Sequence, residues 1–260
     1  MLQIRVGVQL ASLRLPLKQG LLTAARMGAE AVEIDGRNEV KADELSRTGV
    51  RQVRKMLEDL NLRVSAVAYR TRRGYDVADD LDRRVKATQQ ALKLAYELGS
   101  NVVVNHIGRV PADKSSPGWN NMLQALSDIG RYGQRVGASL AAETGTEGGE
   151  VLASLIAALP PGSLGVDLHP ANLIINGHSP VEAARALAEH VIHVHATDGT
   201  RDLAHGRGLE VQLGRGLAEF PELLGILEEH QYRGFITIER RQSENAVAEI
   251  ADAVKYLKSL

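Results

Sequence analysis

Four residues of metal-binding type close four successive apolar segments: Glu143 in SLAAETG, Asp167 in LGVDLHP, His195 in VIHVHATD and Glu239 in FITIER. An ionised carboxylate among apolar residues is costly to desolvate unless a positive charge meets it. Three carboxylates and one imidazole at one place therefore ask for a divalent cation. Three oxygens and one nitrogen suit Mn²⁺, Mg²⁺ or Co²⁺ with open coordination positions; Zn²⁺ is admissible but usually takes more nitrogen or sulfur. Such an ion polarises a carbonyl, and two glutamates beside it can take and return a proton. Glu143 and Glu239 are the candidates for that exchange. Taken singly, these acids read differently. Asp167, before Leu168-His169-Pro170, would be a turn or cap, as would Glu143 before Thr144-Gly145. Their recurrence at four consecutive strand ends is what turns the reading toward a site.

The segments that must position them are short apolar runs alternating with helical patterns. Candidate strands are Arg5–Leu10, Ala31–Asp35, Arg63–Tyr69, Asn101–Ile107, Ser139–Thr144, Leu164–Leu168, Val191–Thr197 and Gly234–Arg240, each followed by a helix-like segment. Asp79–Leu98 carries Leu81, Val85, Leu92 and Ala95 on one helical face, with Gly99 set to end it. Ser179-Pro180-Val181-Glu182 offers an N-cap, a proline at N1 and a glutamate at N3. Asn245–Leu260 has Ile250, Val254 and Leu257 at helical spacing. Strands separated by helices in this rhythm imply a parallel sheet, and eight such units predict an α/β fold, a single (β/α)8 TIM barrel over residues 1–260. The open doubly wound sheet usually needs a Gly-rich phosphate turn after its first strand to bind a nucleotide. Here QLASLRLPL follows Val6-Gly7-Val8. In a barrel the functional face is the C-terminal end of the strands, which sends strands five to eight and their four polar ends to one mouth.

Composition sets bounds on partners. The chain has 260 residues, 44% hydrophobic and 3% aromatic, so its core is built of Leu, Val, Ile and Ala. A formal net charge of −1 argues against a polyanion binder, and no nucleic-acid partner is expected. With no cysteine, disulfides and thiolate metal sites are excluded. MLQIRVGVQL reads as a first strand and not a signal peptide, and no segment approaches a membrane span. The expectation is a soluble, cytoplasmic protein, with homo-oligomer formation left open.

HVHATDG, the Leu213-Gly214-Arg215-Gly216 and Phe220-Pro221-Glu222-Leu223-Leu224 stretch, and Gly234-Phe235-Ile236-Thr237-Ile238-Glu239 resemble the xylose-isomerase-like TIM barrels. That superfamily includes sugar epimerases and isomerases, inosose dehydratases and endonuclease IV. The resemblance implies that Glu143, Asp167, His195 and Glu239 hold one divalent metal ion, and that Glu143 and Glu239 also act as an acid/base pair. It places Arg201, six residues after the histidine, on substrate oxygens; a solvated loop arginine is the plain alternative. Where the epimerases have a histidine three residues after the aspartate, this chain has Pro170, and the nearest imidazole is His169. His169 either reaches the substrate or lies in an exposed loop. His106, in Val-Val-Asn-His-Ile-Gly, either contacts substrate or a second metal, or sits satisfied at the rim. His193, on the same face of its strand as His195, reads as a structural, hydrogen-bonded histidine.

Other polar groups read as structural. Glu33 and Asp35 alternate on the second strand as pocket lining or buried structural carboxylates. Arg70, Arg72 and Arg73 form a basic cluster that reads first as a solvated loop, or else as a partner for a substrate phosphate or carboxylate. Trp119 either walls the pocket or packs at a helix start. The leading function is a metal-dependent sugar or polyol isomerase or epimerase. A dehydratase acting on an inosose or dehydroshikimate is the alternative. An endonuclease IV-like enzyme lacks support, since Glu210-Val211-Gln212 and Tyr69 replace expected ligands of a three-zinc site. A non-catalytic sugar-binding barrel is the fourth reading.

Overall fold

In a computed structural model, which describes residues 4–42, 44–202 and 208–260, the apolar runs form a closed barrel. Its strands are β1 (Val6–Gln9), β2 (Ala31–Asp35), β3 (Arg63–Ala68), β4 (Val102–Asn105), β5 (Ser139–Glu143), β6 (Gly165–Leu168), β7 (Val191–Ala196) and β10 (Ile236–Ile238). All neighbouring pairs are parallel, in the order β1-β10-β7-β6-β5-β4-β3-β2. The (β/α)8 barrel expected from the alternating pattern is the fold observed.

The helices are α1 (Leu10–Leu13), α2 (Leu17–Arg26), α3 (Arg47–Asp59), α4 (Leu81–Glu97), α5 (Pro117–Val136), α6 (Gly149–Ala157), α7 (Pro170–Ile175), α8 (Pro180–Leu187), α9 (Phe220–Glu229) and α10 (Ala246–Ser259). Local chemistry sets their ends. Ser179 Oγ accepts from Glu182 N ahead of Pro180, and Ser116 Oγ accepts from Trp119 N ahead of Pro117. Gly99 follows α4 with φ 84°, the left-handed geometry that a side chain would oppose.

One large apolar cluster joins the outer strand faces, such as Val32, Val103 and Val166, to helix residues such as Leu92, Leu126 and Ile250. Val103 points into that layer, so Val102 and Val104 point the other way, and with Ala66 and Ala141 they plug the barrel interior. Trp119 belongs to the large cluster and is only 5% exposed, so it packs at the start of α5 and does not wall the mouth.

Two elements depart from the strand–helix rhythm. The segment after β6 makes two helices, α7 and α8. After β7 comes an antiparallel hairpin, β8 (Asp198–Thr200) with β9 (Leu209–Val211), before α9. These three-residue strands carry no apolar run, so period-based reading passes over them. The hairpin is anchored by Asp198, which is buried. Its Oδ1 accepts from Gly199 N at 2.8 Å and Ala218 N at 2.9 Å, and its Oδ2 from Gly214 N at 3.0 Å and Gly216 N at 2.8 Å.

Candidate active site

β5, β6, β7 and β10 deliver Glu143, Asp167, His195 and Glu239 to one end of the barrel, all 7% exposed or less. Below them the interior is polar. Gly7, where a Cβ would come within 2.8 Å of Thr237 Oγ1, leaves room for a chain in which Thr237 donates to Ser65 Oγ at 3.0 Å and meets His193 Nε2 at 2.9 Å. His193 Nδ1 lies 2.8 Å from Asp167 Oδ1. It is the buried, hydrogen-bonded histidine that its position on the strand predicts.

Asp167 Oδ2 lies 2.7 Å from His195 Nδ1, and the other ring nitrogen of His195 lies 2.8 Å from Glu33 Oε2. Glu33 is fully buried and is part of the cluster. Gln9, at the end of β1, donates through its Nε2 to both Glu33 Oε1, at 2.7 Å, and Glu239 Oε2, at 2.5 Å. Ser12 Oγ donates to Gln9 Oε1 at 2.7 Å, which fixes which end of the amide faces the acids.

Glu143 and Glu239 share partners. Arg70 Nη2 lies 2.9 Å from Glu143 Oε2 and 3.1 Å from Glu239 Oε2. Arg241 Nη2 donates to Glu239 Oε2 at 3.0 Å and is 3.7 Å from Glu143 Oε1. Its Nε is 2.5 Å from Glu239 Oε1 but off the hydrogen-bonding direction, which leaves that N–H without a hydrogen bond among the described residues. Asn172 Nδ2 donates to Glu143 Oε1 at 2.7 Å, and His106 Nε2 is 3.3 Å from the same oxygen. His169 is 2% exposed, with its Nε2 3.2 Å from Glu239 Oε1 and its Nδ1 accepting from Asn172 N. Of its two readings, the exposed loop is excluded.

The electrostatics follow from this packing. Burial alone would raise the Glu239 carboxyl, but the His195 charge, the hydrogen bond and charge of His169, and the Arg70 charge outweigh it and hold it down to about 2. Asp167 is likewise held well below the usual carboxylate range, burial being overcome by the charge of His195 and the hydrogen bond and charge of His193. Burial would lower His195, yet the charges of Asp167, Glu33 and Glu239 push it well above the ordinary imidazole value. The cage thus favours positive charge at His195, whether a proton or a metal ion. A metal ion would displace the proton, because an imidazole ligates in its neutral form.

Glu143, Asp167 and His195 can each place one ligand atom within 4.8 Å of the others, as can His169, His195 and Glu239. Neighbouring ligands of an octahedral ion with bonds of ~2.1 Å lie about 3 Å apart, comparable to the 2.7 Å between Asp167 and His195. Each trio by itself fits such an ion; the two share His195, and among the described residues no single group brings Glu143, Asp167, His195 and Glu239 within that distance of one another. A third trio, Glu33, His193 and His195, lies deeper on the same histidine.

Arg201 stands apart. It is exposed, its Nη2 donates to Gly177 O at 3.0 Å, and no hydrogen bond among the described residues joins it to these acids. Glu210 also has another task, accepting from Arg241 N at 3.0 Å and Gln242 N at 3.1 Å, so it clamps β9 to the segment after β10. The sequence reading passed over Gln9, Arg241 and Asn172. Arg70 it placed first in a solvated loop, but β3 turns that side chain inward onto two buried carboxylates. The one readable signal was for Gln9, a polar side chain closing the apolar Val6–Val8 run as the four acids and imidazole close theirs.

Residues 21–260 match the family model described as xylose isomerase-like TIM barrel. The chain belongs to this family. A relative from Methanocaldococcus jannaschii, an uncharacterized protein, is 29% identical over 187 residues, 67% of this chain and 62% of the relative. The chain therefore spans under two thirds of the length of that curated relative. Among solved structures, a xylose isomerase domain protein from Planctomyces limnophilus superposes with a TM-score of 0.86 at 23% identity, covering 98% of this chain and 96% of that one. A D-tagatose 3-epimerase-like protein gives 0.77 at 22% identity, covering 98% of each. The probable 3-DHS dehydratase AsbF from Bacillus anthracis gives 0.79 at 17%, covering 98% of this chain and 99% of that one. These likenesses are of fold, which solved structures with epimerase and dehydratase names share. No helix among the described residues is long and apolar enough to cross a membrane.

Proposed function

We propose that this barrel is a divalent-metal-dependent isomerase or epimerase that moves a proton at the carbon next to the carbonyl of a sugar or polyol. The observation that carries this reading is the facing pair: carboxylate oxygens of Glu143 and Glu239 both lie within 3.1 Å of one guanidinium nitrogen, beside Asp167 and His195. Glu143, Asp167, His195 and Glu239 would hold the ion. When bound, it would supply Lewis-acid polarisation of a carbonyl oxygen.

The chain's own groups do the rest. One glutamate takes the proton from carbon and the other returns one, to the opposite face in an epimerisation. Asn172 and His106 fix one oxygen of Glu143, while Gln9 and His169 fix the two oxygens of Glu239. Carboxylates held from several directions stay in the near-attack geometry that proton transfer needs. Arg241, whose Nη2 donates to Glu239 Oε2 at 3.0 Å, would keep positive charge beside the pair when a bound ion takes the place of Arg70 between the glutamates. Burial of the whole cluster keeps those charges effective.

Solvent exchange tests this reading. Protein loaded with Mn²⁺ and offered a panel of ketoses in D₂O should incorporate deuterium beside the carbonyl. Glu143→Gln and Glu239→Gln should each slow that incorporation by ~100-fold or more, as expected for loss of a general base. An active protein that never exchanges, or variants as fast as the parent, would refute it. The dehydratase reading draws on the structural likeness to AsbF, and loss of 18 mass units, roughly one water, from an inosose or dehydroshikimate would select it.

A further inference from the structure

The cavity that opens on Glu143 has a volume of about 390 Å³ and is walled by segments 71–74 and 106–109, the loops after β3 and β4. These loops are locked together. A Cβ on Gly74 would lie 2.3 Å from the Gly108 Cα, and a Cβ on Gly108, whose φ is 97°, would lie 2.5 Å from the Gly74 Cα. Only glycine permits so close a crossing. Tyr75 N donates to Ile107 O at 2.8 Å, and Thr71 N donates to Asn105 Oδ1 at 3.0 Å. Arg72, Arg73 and Arg109 are thereby brought to one cavity on a fixed backbone.

Of the acids nearby, Glu143, Asp79 and Glu147 already have partners, and the Asp76 carboxylate has no ion pair or hydrogen bond among the described residues. Glu143 meets Arg70, Asp79 pairs with Arg73 at 2.7 Å, and Glu147 Oε1 accepts from Val110 N at 3.2 Å. Asp76 faces the glycine crossing. Arg72 and Arg109 are exposed and have no ion pair or hydrogen bond among the described residues. Two uncommitted arginines thus line the same cavity as Glu143. A guanidinium presents a planar fork that matches the paired oxygens of carboxylate or phosphate, and a neutral polyol gains little from two of them.

We propose that the substrate carries an oxyanion, a carboxylate or phosphate monoester, remote from its carbonyl and seated between Arg72 and Arg109. Its placement as a substrate group rests on the reading of Glu143 and Glu239 as the proton-moving pair. Calorimetric titration of the full chain, in Mn²⁺ at low ionic strength, with glucitol, gluconate and glucitol 6-phosphate tests this. These polyols match in carbon number and differ in charge. At least one anionic polyol should bind tenfold or more tightly than glucitol, and which one does so identifies carboxylate or phosphate. Raising the salt to several hundred millimolar should erode that preference, since exposed charges are screened. The Arg72→Met/Arg109→Met double variant should bring it within about threefold, as expected when charge-assisted bonds are lost. Glucitol binding as tightly as both anions, no binding by any of the three at tens of millimolar, or a preference indifferent to salt would each overturn the proposal. So would a preference retained by a folded double variant. Anion preference without ketose exchange would keep the subsite and refute the proton-transfer reading; exchange without the preference would do the reverse.

Discussion

Replacing Arg70 by methionine should move two observables in opposite directions. The Arg70 side chain is 29% exposed, while those of Glu143 and Glu239 are 2% or less, and one Arg70 nitrogen holds an oxygen of each. With charge centres about 4 Å apart and an effective dielectric of about 20, each pair attracts by roughly 4 kcal/mol. Desolvation of the arginine offsets part of this, and Arg241 stays near both carboxylates in the variant. The net cost expected for breaking a buried pair is about 3–5 kcal/mol. Urea unfolding in chelator should show that loss. Mn²⁺ titration should show the contrary effect: with no guanidinium on the carboxylate oxygens, half-saturation should fall to ~10-fold lower Mn²⁺, because about 1.4 kcal/mol of relieved competition gives that factor. Saturating Mn²⁺ should then restore stability by mass action. A variant within ~1 kcal/mol of the parent in chelator, below the range for a buried pair, would show that Arg70 does not neutralise the two glutamates. Weaker Mn²⁺ binding in the variant would show that Arg70 does not compete with the ion.

Asp198→Ala strips the acceptor from four backbone N–H groups and should cost about 3 kcal/mol in urea unfolding, with Asp198→Asn in between; a loss under ~1 kcal/mol would show that the hairpin does not depend on this anchor. Glu39 gives a pH prediction. Burial raises its carboxyl to about 7, opposed by the hydrogen bond from Asp35 N and reinforced by the charges of Asp35 and Glu33. A folded value above the ordinary 4.5 means the stabilising contribution is full below about 4.5 and lost as pH rises through about 7. Glu39→Gln should therefore match the parent near pH 4 and exceed its stability at pH 8 by about 1 kcal/mol after screening; equal stability at pH 8 would contradict the assignment. Leu126→Ala, in the fully buried layer between α5 and the sheet, should cost about 2–5 kcal/mol in the same assay, and a loss well short of that would mean the layer collapses around the gap.

The strands were legible because a parallel strand buried on both faces is a short continuous apolar run. Ala31–Asp35 has the same limits by sequence and by structure. The four polar strand ends were legible for the same reason, each being an abrupt charged or imidazole group after such a run. What surrounds them was not, because closure of the barrel creates it. Gln9 and Glu239 are 230 positions apart and meet only when β1 pairs with β10. Arg70 sits in a basic stretch whose local chemistry is that of a solvated loop, and only the facing carboxylates of β5 and β10 draw it inward. His169 comes one residue before the position that the resemblance to the epimerases implies, yet it reaches Glu239 because it caps α7 with its ring turned to the barrel.

The most direct test of the central claim is the position of a bound metal ion, read from anomalous scattering of a crystal grown in Mn²⁺. One peak per chain is expected, about 2.0–2.3 Å from an oxygen of each of Glu143, Asp167 and Glu239 and from one ring nitrogen of His195. Arg70 would be displaced from between the glutamates. A peak held by Glu33, His193 and His195, or Arg70 still bridging Glu143 and Glu239 in a crystal with no peak there, would contradict that claim.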